Sequence, residues 1–111
     1  MTVQRYADMK VDHIRAGRER RLGRTENLMM VIFDFNDGPH HEPDPPHSHP
    51  HEQASYVVEG EIIFFLEGVG ERLGPGDMFL VPPGKEHTIQ ALTPHARLVD
   101  CFHPIRQDFL K

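Results

Sequence analysis

Ten prolines and nine glycines break this 111-residue chain into short apolar runs, and no stretch longer than a few residues carries a helical period. The run 28–35 is apolar almost throughout and ends at the turn signal Asn36-Asp37-Gly38. Residues 54–59 and 61–66 flank Gly60, which predicts a tight hairpin or bend. Glu67-Gly68-Val69-Gly70 turns the chain again, and 71–73, 78–81, 87–92 and 97–102 supply further short strands. Short strands at regular spacing with Gly and Pro turns predict an all-β sandwich or barrel, and the pattern leads to a double-stranded β-helix, a jelly-roll barrel. Residues 36–46 hold Pro39, Pro43, Pro45 and Pro46 and no apolar run. Proline this dense forbids helix and most ladder pairing, so the segment reads as a loop, with His40, His41, Glu42 and Asp44 in solvent rather than on a metal.

The length fits one domain, 1–111, with an N-terminal arm over 1–16 and the Pro/His-rich loop over 36–46. Its core is modest, and apolar outer strands such as 28–35 leave sheet surface that a second copy would cover, so a homodimer is expected. No run of 18 apolar residues exists, hence no membrane span, and the first ten residues carry no apolar signal region. Cys101 is the single cysteine, which rules out an intrachain disulfide and fits a cytoplasmic protein. The net charge of −5 is split: residues 1–24 hold seven Lys/Arg and three acids (+4), residues 25–111 five Lys/Arg and fourteen acids (−9). The basic arm, with Arg15, Arg18, Arg20, Arg21 and Arg24, is short and lacks the interleaved aromatics that stack on bases. It reads as a basic outer strand, or a substrate-facing one that attracts an anion, rather than a nucleic-acid surface.

The segment His47-Ser48-His49-Pro50-His51-Glu52-Gln53 carries the chemistry. Positions i and i+2 of a strand face the same way, so His47 and His49 aim at one point. A bend after His49 brings the Gln53 amide oxygen to that point, and the Pro82-Pro83-Gly84 turn delivers His87 from a distant segment. Three neutral nitrogens and one oxygen suit one divalent transition metal per chain, Zn, Ni, Fe or Mn, with room left for solvent or substrate. The competing reading is a His-rich tract that scavenges metal weakly or is simply solvated.

The two segments resemble the paired motifs of the cupin superfamily. His47, His49, Gln53 and Gly60 match the first motif, and Gly76, Pro82, Gly84 and His87 match the second with every spacing kept. His41 and Ala91 stand where a glycine and an asparagine are usual, and Gln53 replaces the more frequent Glu, removing a negative charge from the ligand set. The resemblance implies the same jelly-roll barrel, a first strand over 18–22 and a metal at its mouth. The tail, with Asp100, Phe102, Pro104, Arg106, Asp108 and Phe109, narrows the resemblance to the KdgF-type cupins of pectin and alginate breakdown. These small single-domain proteins convert 4,5-unsaturated uronate monosaccharides to the linear keto form.

In those terms Asp100 would shuttle a proton, Arg106 would bind a substrate carboxylate and Phe102 would shape the pocket. Each residue has an ordinary alternative: a solvent-facing strand acid for Asp100, a pair with Asp108 or a partner copy for Arg106, plain core for Phe102. His51 and His103 are read as non-ligands, and Tyr56 as pocket or sheet lining. The substrate expected is a small anionic sugar or organic acid, with neither nucleic acid nor membrane as partner. Two other functions fit the same motifs: an iron- and O₂-dependent cupin dioxygenase acting on a small acid, and a free-standing metabolite-binding cupin.

Overall fold

The computed structural model describes residues 2–111. Nine strands run β1 (Asp12–Arg15), β2 (Arg18–Arg24), β3 (Met29–Phe35), β4 (Glu52–Glu59), β5 (Ile62–Leu66), β6 (Val69–Leu73), β7 (Met78–Val81), β8 (His87–Ala91) and β9 (Ala96–His103). The only helical turns among the described residues are 3₁₀ segments at Tyr6–Asp8 and Gln107–Leu110, and none is long and apolar enough to cross a membrane. A six-stranded sheet has the order β1-β2-β3-β9-β4-β7 and a three-stranded sheet the order β6-β5-β8, with every pairing antiparallel.

The expected barrel is therefore a jelly roll of two facing sheets, whose ladders do not close into one ring. Gly60 makes the corner between them. Its φ of +79° suits a residue without Cβ, and β4 and β5 on either side belong to different sheets, so it is a bend rather than a hairpin. Alternation along β9 is strict: Ala96, Leu98, Asp100 and Phe102 point inward and Arg97, Val99, Cys101 and His103 outward. Val57, Phe79, Leu98 and Phe35 from the large sheet meet Ile62 and Phe64 from the small one, with the Phe64 and Phe79 rings stacked at 4.3 Å. A second apolar cluster, Met29, Val31, Phe102 and Ile105, joins β3 and β9 to the C-terminal tail.

Two segments depart from the sequence reading. The N-terminal arm is not all irregular: β1 pairs with β2 through a turn at Gly17. Its sequence, Asp-His-Ile-Arg, has no apolar alternation, and Arg20 pairs with Asp12 across the ladder. The 36–46 segment is not free of pairing either. Each proline removes one donor, yet the amides of His40, Asp44 and His47 bond the carbonyls of Ala91, Ile89 and His87. The segment lies along β8 as an irregular neighbour. His41 and Glu42 are exposed as expected, but Asp44 is held by Arg18 and Arg15.

Asp34 ties the outside of the large sheet together. Its buried carboxylate accepts from Arg97 Nε (2.7 Å), His95 Nε2 (3.0 Å), Tyr6 Oη (3.2 Å) and Arg21 Nη1 (3.3 Å). Burial pushes its pKa up, but the hydrogen bonds from Arg97 and His95 outweigh that and leave it below the ordinary value. A lowered carboxylate pKa stabilises the fold above the unfolded-state pKa of about 4, and that stability fades as pH falls through the folded-state value. Asp34→Asn should cost about 2 kcal/mol at neutral pH, with the deficit shrinking toward pH 3, in urea denaturation. Ile62→Ala, in the fully buried core, should cost roughly 2–5 kcal/mol at both pH values.

Candidate metal centre and cavity

The register of β4 against β9 builds one wall of the site. Gln53 stands opposite Phe102 and Ser55 opposite Asp100, all on the inner face. Gln53 Nε2 donates to Ser55 Oγ at 2.9 Å, and Ser55 Oγ donates to Asp100 Oδ1 at 2.6 Å. This chain fixes the amide, so that Gln53 Oε1 faces His49 Nε2 at 3.0 Å. The opposite wall comes from the bridge between His47 and His87. One ligand atom from each of His47, His49 and His87 lies within 4.8 Å of the others, and both His49 and His87 are buried.

The histidines are preset for ligation. His87 Nδ1 bonds the Lys85 carbonyl at 2.9 Å and His49 Nδ1 the His51 carbonyl at 3.0 Å. Carbonyls only accept, so both Nδ1 atoms carry hydrogen and each Nε2 keeps its lone pair in the neutral ring. Burial lowers the His87 pKa to about 4, which holds that ring neutral. For a neutral His49, Nε2 and the Gln53 oxygen are two acceptors at hydrogen-bond distance with no proton between them. A cation accepting from both resolves that conflict, as would a second proton on the ring. Three imidazole nitrogens and an amide oxygen are a donor set that fits a divalent transition metal.

Beside the histidines opens a cavity of about 330 Å³ whose walls include Gln53, Asp100, Phe102, Arg106 and Phe109. Asp100 is buried rather than a solvent-facing strand acid. Burial pushes its carboxyl up to about 6, against the Ser55 hydrogen bond and the Arg106 charge, which pull it down. Phe102 is both core and wall: it packs with Met29 and Val31, and its ring meets His49 edge-on at 5.8 Å. Arg106 likewise does two things. It lines the cavity, and its Nε and Nη2 form a fork on Asp108 at 3.1 and 2.8 Å. Its guanidinium also lies 4.3 Å from the Phe109 ring centre and 5.1 Å from that of Phe102.

His51 lies 5.6 Å from His49, ring to ring, yet outside the three-histidine cluster. His103 is exposed at the end of β9, and Tyr56 faces outward. One residue that shapes the site had not been singled out. Ser55 links Gln53 to Asp100; its place two residues past Gln53 on a strand was the available signal. Arg18, buried and bound to Asp37 and Asp44, forms the far wall with Asp44. The substrate-facing alternative for this basic strand includes it.

The sequence profile of the cupin domain matches residues 33–100. The chain belongs to the cupin family. It is similar to the pectin degradation protein KdgF of Dickeya dadantii (strain 3937), 33% identical over 87 residues, 78% of this chain and 76% of that protein. Among solved structures, an RmlC-like cupin from Shewanella frigidimarina superposes with a TM-score of 0.88 at 34% identity, over 98% of this chain and 96% of that one. KdgF from Halomonas sp. superposes with a TM-score of 0.84 at 34% identity, over 94% of each chain.

For this cupin, metal analysis of the purified chain should find about one divalent ion per molecule, lost on His49→Ala or His87→Ala. Full occupancy in the double variant His47→Ala/His87→Ala would instead assign binding to the surface tract.

Proposed function

We propose that the protein converts 4,5-unsaturated uronate monosaccharides from pectin or alginate to their linear keto form. The metal would be one Zn, Ni, Fe or Mn ion on His47, His49, Gln53 and His87. The observation that carries this reading is that Asp100, Phe102 and Arg106 share one cavity wall with the histidine cluster. The likeness to two proteins named KdgF, one of them a pectin degradation protein, supports it.

The reaction is an isomerisation. The anomeric hydroxyl loses a proton, the C1–O5 bond breaks as the C1 carbonyl forms, and the resulting enol at C5 becomes a ketone when C4 gains a proton. Asp100, as general base, would take the first proton and, as acid, return one to C4. Ser55 steadies one carboxylate oxygen and leaves the other for that work. Arg106 would hold the substrate carboxylate by charge-assisted hydrogen bonds. Phe102 and Phe109 line the cavity and would shield the ring carbons from water. A bound metal would supply Lewis acidity toward substrate oxygens. The steps need neither O₂ nor a redox cofactor, and a cytoplasmic setting suits the lone Cys101.

The conjugated double bond of the substrate absorbs in the ultraviolet and the keto product does not. The metal-loaded protein should speed the loss of that absorbance equally in air and in anaerobic buffer. Asp100→Asn should keep fold and metal but lose ~10²–10⁴ of the rate. Arg106→Ala should mainly raise KM if the carboxylate is held alike in ground and transition states. Decay at the spontaneous rate with folded, loaded protein would defeat the uronate reading. Turnover of a small organic acid only in air would favour a dioxygenase, and binding without turnover a metabolite-binding cupin.

A further inference from the structure

The end of the cavity away from Arg106 is also polar, and the proposed reaction leaves it without a task. On β2, Arg18 stands beside Phe35 of β3, which pairs with Ala96 at the start of β9. Asp100 and Phe102 lie toward the other end of β9, with the Phe33–Leu98 pair in between. The Pro-rich segment brings Asp44 to Arg18, and β1 adds Arg15. Arg15, Arg18 and Asp44 line the same cavity as Asp100 and Arg106. His47 is within reach of both ends: burial first, then the charges of His49 and Arg106, lower its pKa, while the Asp44 charge raises it.

The Arg18–Asp44 pair keeps hydrogen-bonding capacity to spare. Arg18 Nε donates to Asp37 at 3.2 Å, and Nη2 donates to Asp44 Oδ1 at 2.9 Å and lies 3.3 Å from His40 Nε2. Nη1 donates to Asp44 Oδ2. A guanidinium has five N–H groups, so one on Nη1 has no partner among the described residues, and Oδ2 retains a lone pair next to it. Asp37 and His40 line only the outer cleft under the Pro-rich segment, whereas Arg18 and Asp44 line both that cleft and the cavity. Asp44 is also held by its backbone: its amide bonds the Ile89 carbonyl, and its carbonyl accepts from Thr88 Oγ1 at 2.8 Å.

We infer that Arg18 and Asp44, with Arg15, form the subsite that binds the C2 and C3 hydroxyls of the sugar and selects between epimers, a role that rests on the uronate reading of the site. C2 stands across the ring from C5, which bears the carboxylate. A carboxylate on Arg106 therefore sends the C2–C3 edge toward the opposite end of the cavity. Each hydroxyl both donates and accepts, and a guanidinium beside a carboxylate offers neighbouring oxygens one donor and one acceptor. A pair fixed in this way fits one relative configuration of the two hydroxyls better than the other. The unsaturated uronate from pectin carries them trans and that from alginate cis, so the two substrates differ at this edge.

Initial rates on the two epimers with the metal-loaded protein test the assignment. The wild type should favour one epimer by about 10- to 100-fold in kcat/KM, the range of one hydrogen bond to a charged group. Asp44→Asn keeps the shape and removes the charge, and Arg15→Ala removes a largely exposed side chain. Each should cut the ratio at least severalfold, chiefly by raising KM for the favoured epimer. Calorimetric binding of glucuronate and mannuronate, saturated C2 epimers that cannot react, should show the same loss of discrimination without turnover. A wild type that turns over neither unsaturated epimer strikes the uronate reading and the subsite with it. Turnover of both at equal kcat/KM strikes the subsite alone. So does a ratio that survives both substitutions in folded protein, which would leave Arg18 and Asp44 a purely structural pair.

Discussion

The antiparallel register of β4 on β9 is the constraint on which the rest depends. It sets Gln53 beside Phe102 and Ser55 beside Asp100 on the inner face. Side chains alternate with period two, so a slip of one residue in β4 would turn Gln53 and Ser55 outward and bring Ala54 and Tyr56 inside against β9. The slipped arrangement would still bury apolar groups. What it would lose is the polar path from Gln53 through Ser55 to Asp100, and with it the wall of the cavity. The flanking pairs reinforce the native register, Met29 against Phe102 and Val31 against Asp100 on β3.

That polar path crosses an apolar region, and each member is expensive to bury alone. Ser55 resolves most of the cost, because a hydroxyl both accepts from the Gln53 amide and donates to the Asp100 carboxylate. The orientation of Gln53 follows from it: the amide nitrogen is spoken for, and the oxygen turns to the histidines. His49 and His87 are oriented in the same indirect way, by backbone carbonyls on their far nitrogens. The donor set is therefore arranged by groups that would never touch a metal, which is the usual route to a well-aimed site.

How much of this was legible in the sequence varies with the physical signal. The two histidine segments, the corner at Gly60 and the alternation of β9 are marked by short spacings, although His47 and His49 lie in irregular chain ahead of β4 rather than on a strand. Strand β1 could not be read, because backbone bonds and the Arg20–Asp12 pair hold it and no apolar pattern marks it. The path of 36–46 along β8 was hidden for a related reason. Prolines announce the donors they remove but not where the remaining amides go. The inward turn of Arg18 onto Asp37 and Asp44 is a tertiary choice, since an arginine on a strand of basic residues gives no sign of which neighbour is inside. The break between the two sheets is likewise a matter of long-range hydrogen bonding, which strand count does not reveal.

The central claim is that the cavity delivers a proton to one carbon of an unsaturated uronate as its ring opens. The most direct measurement is proton NMR of such a uronate with the metal-loaded protein in D₂O. The account predicts loss of the vinylic C4 signal and a keto product carrying a single deuteron on one face of C4. A product deuterated equally on both faces would mean that solvent, not Asp100, protonates C4, and an unchanged spectrum would contradict the chemistry altogether.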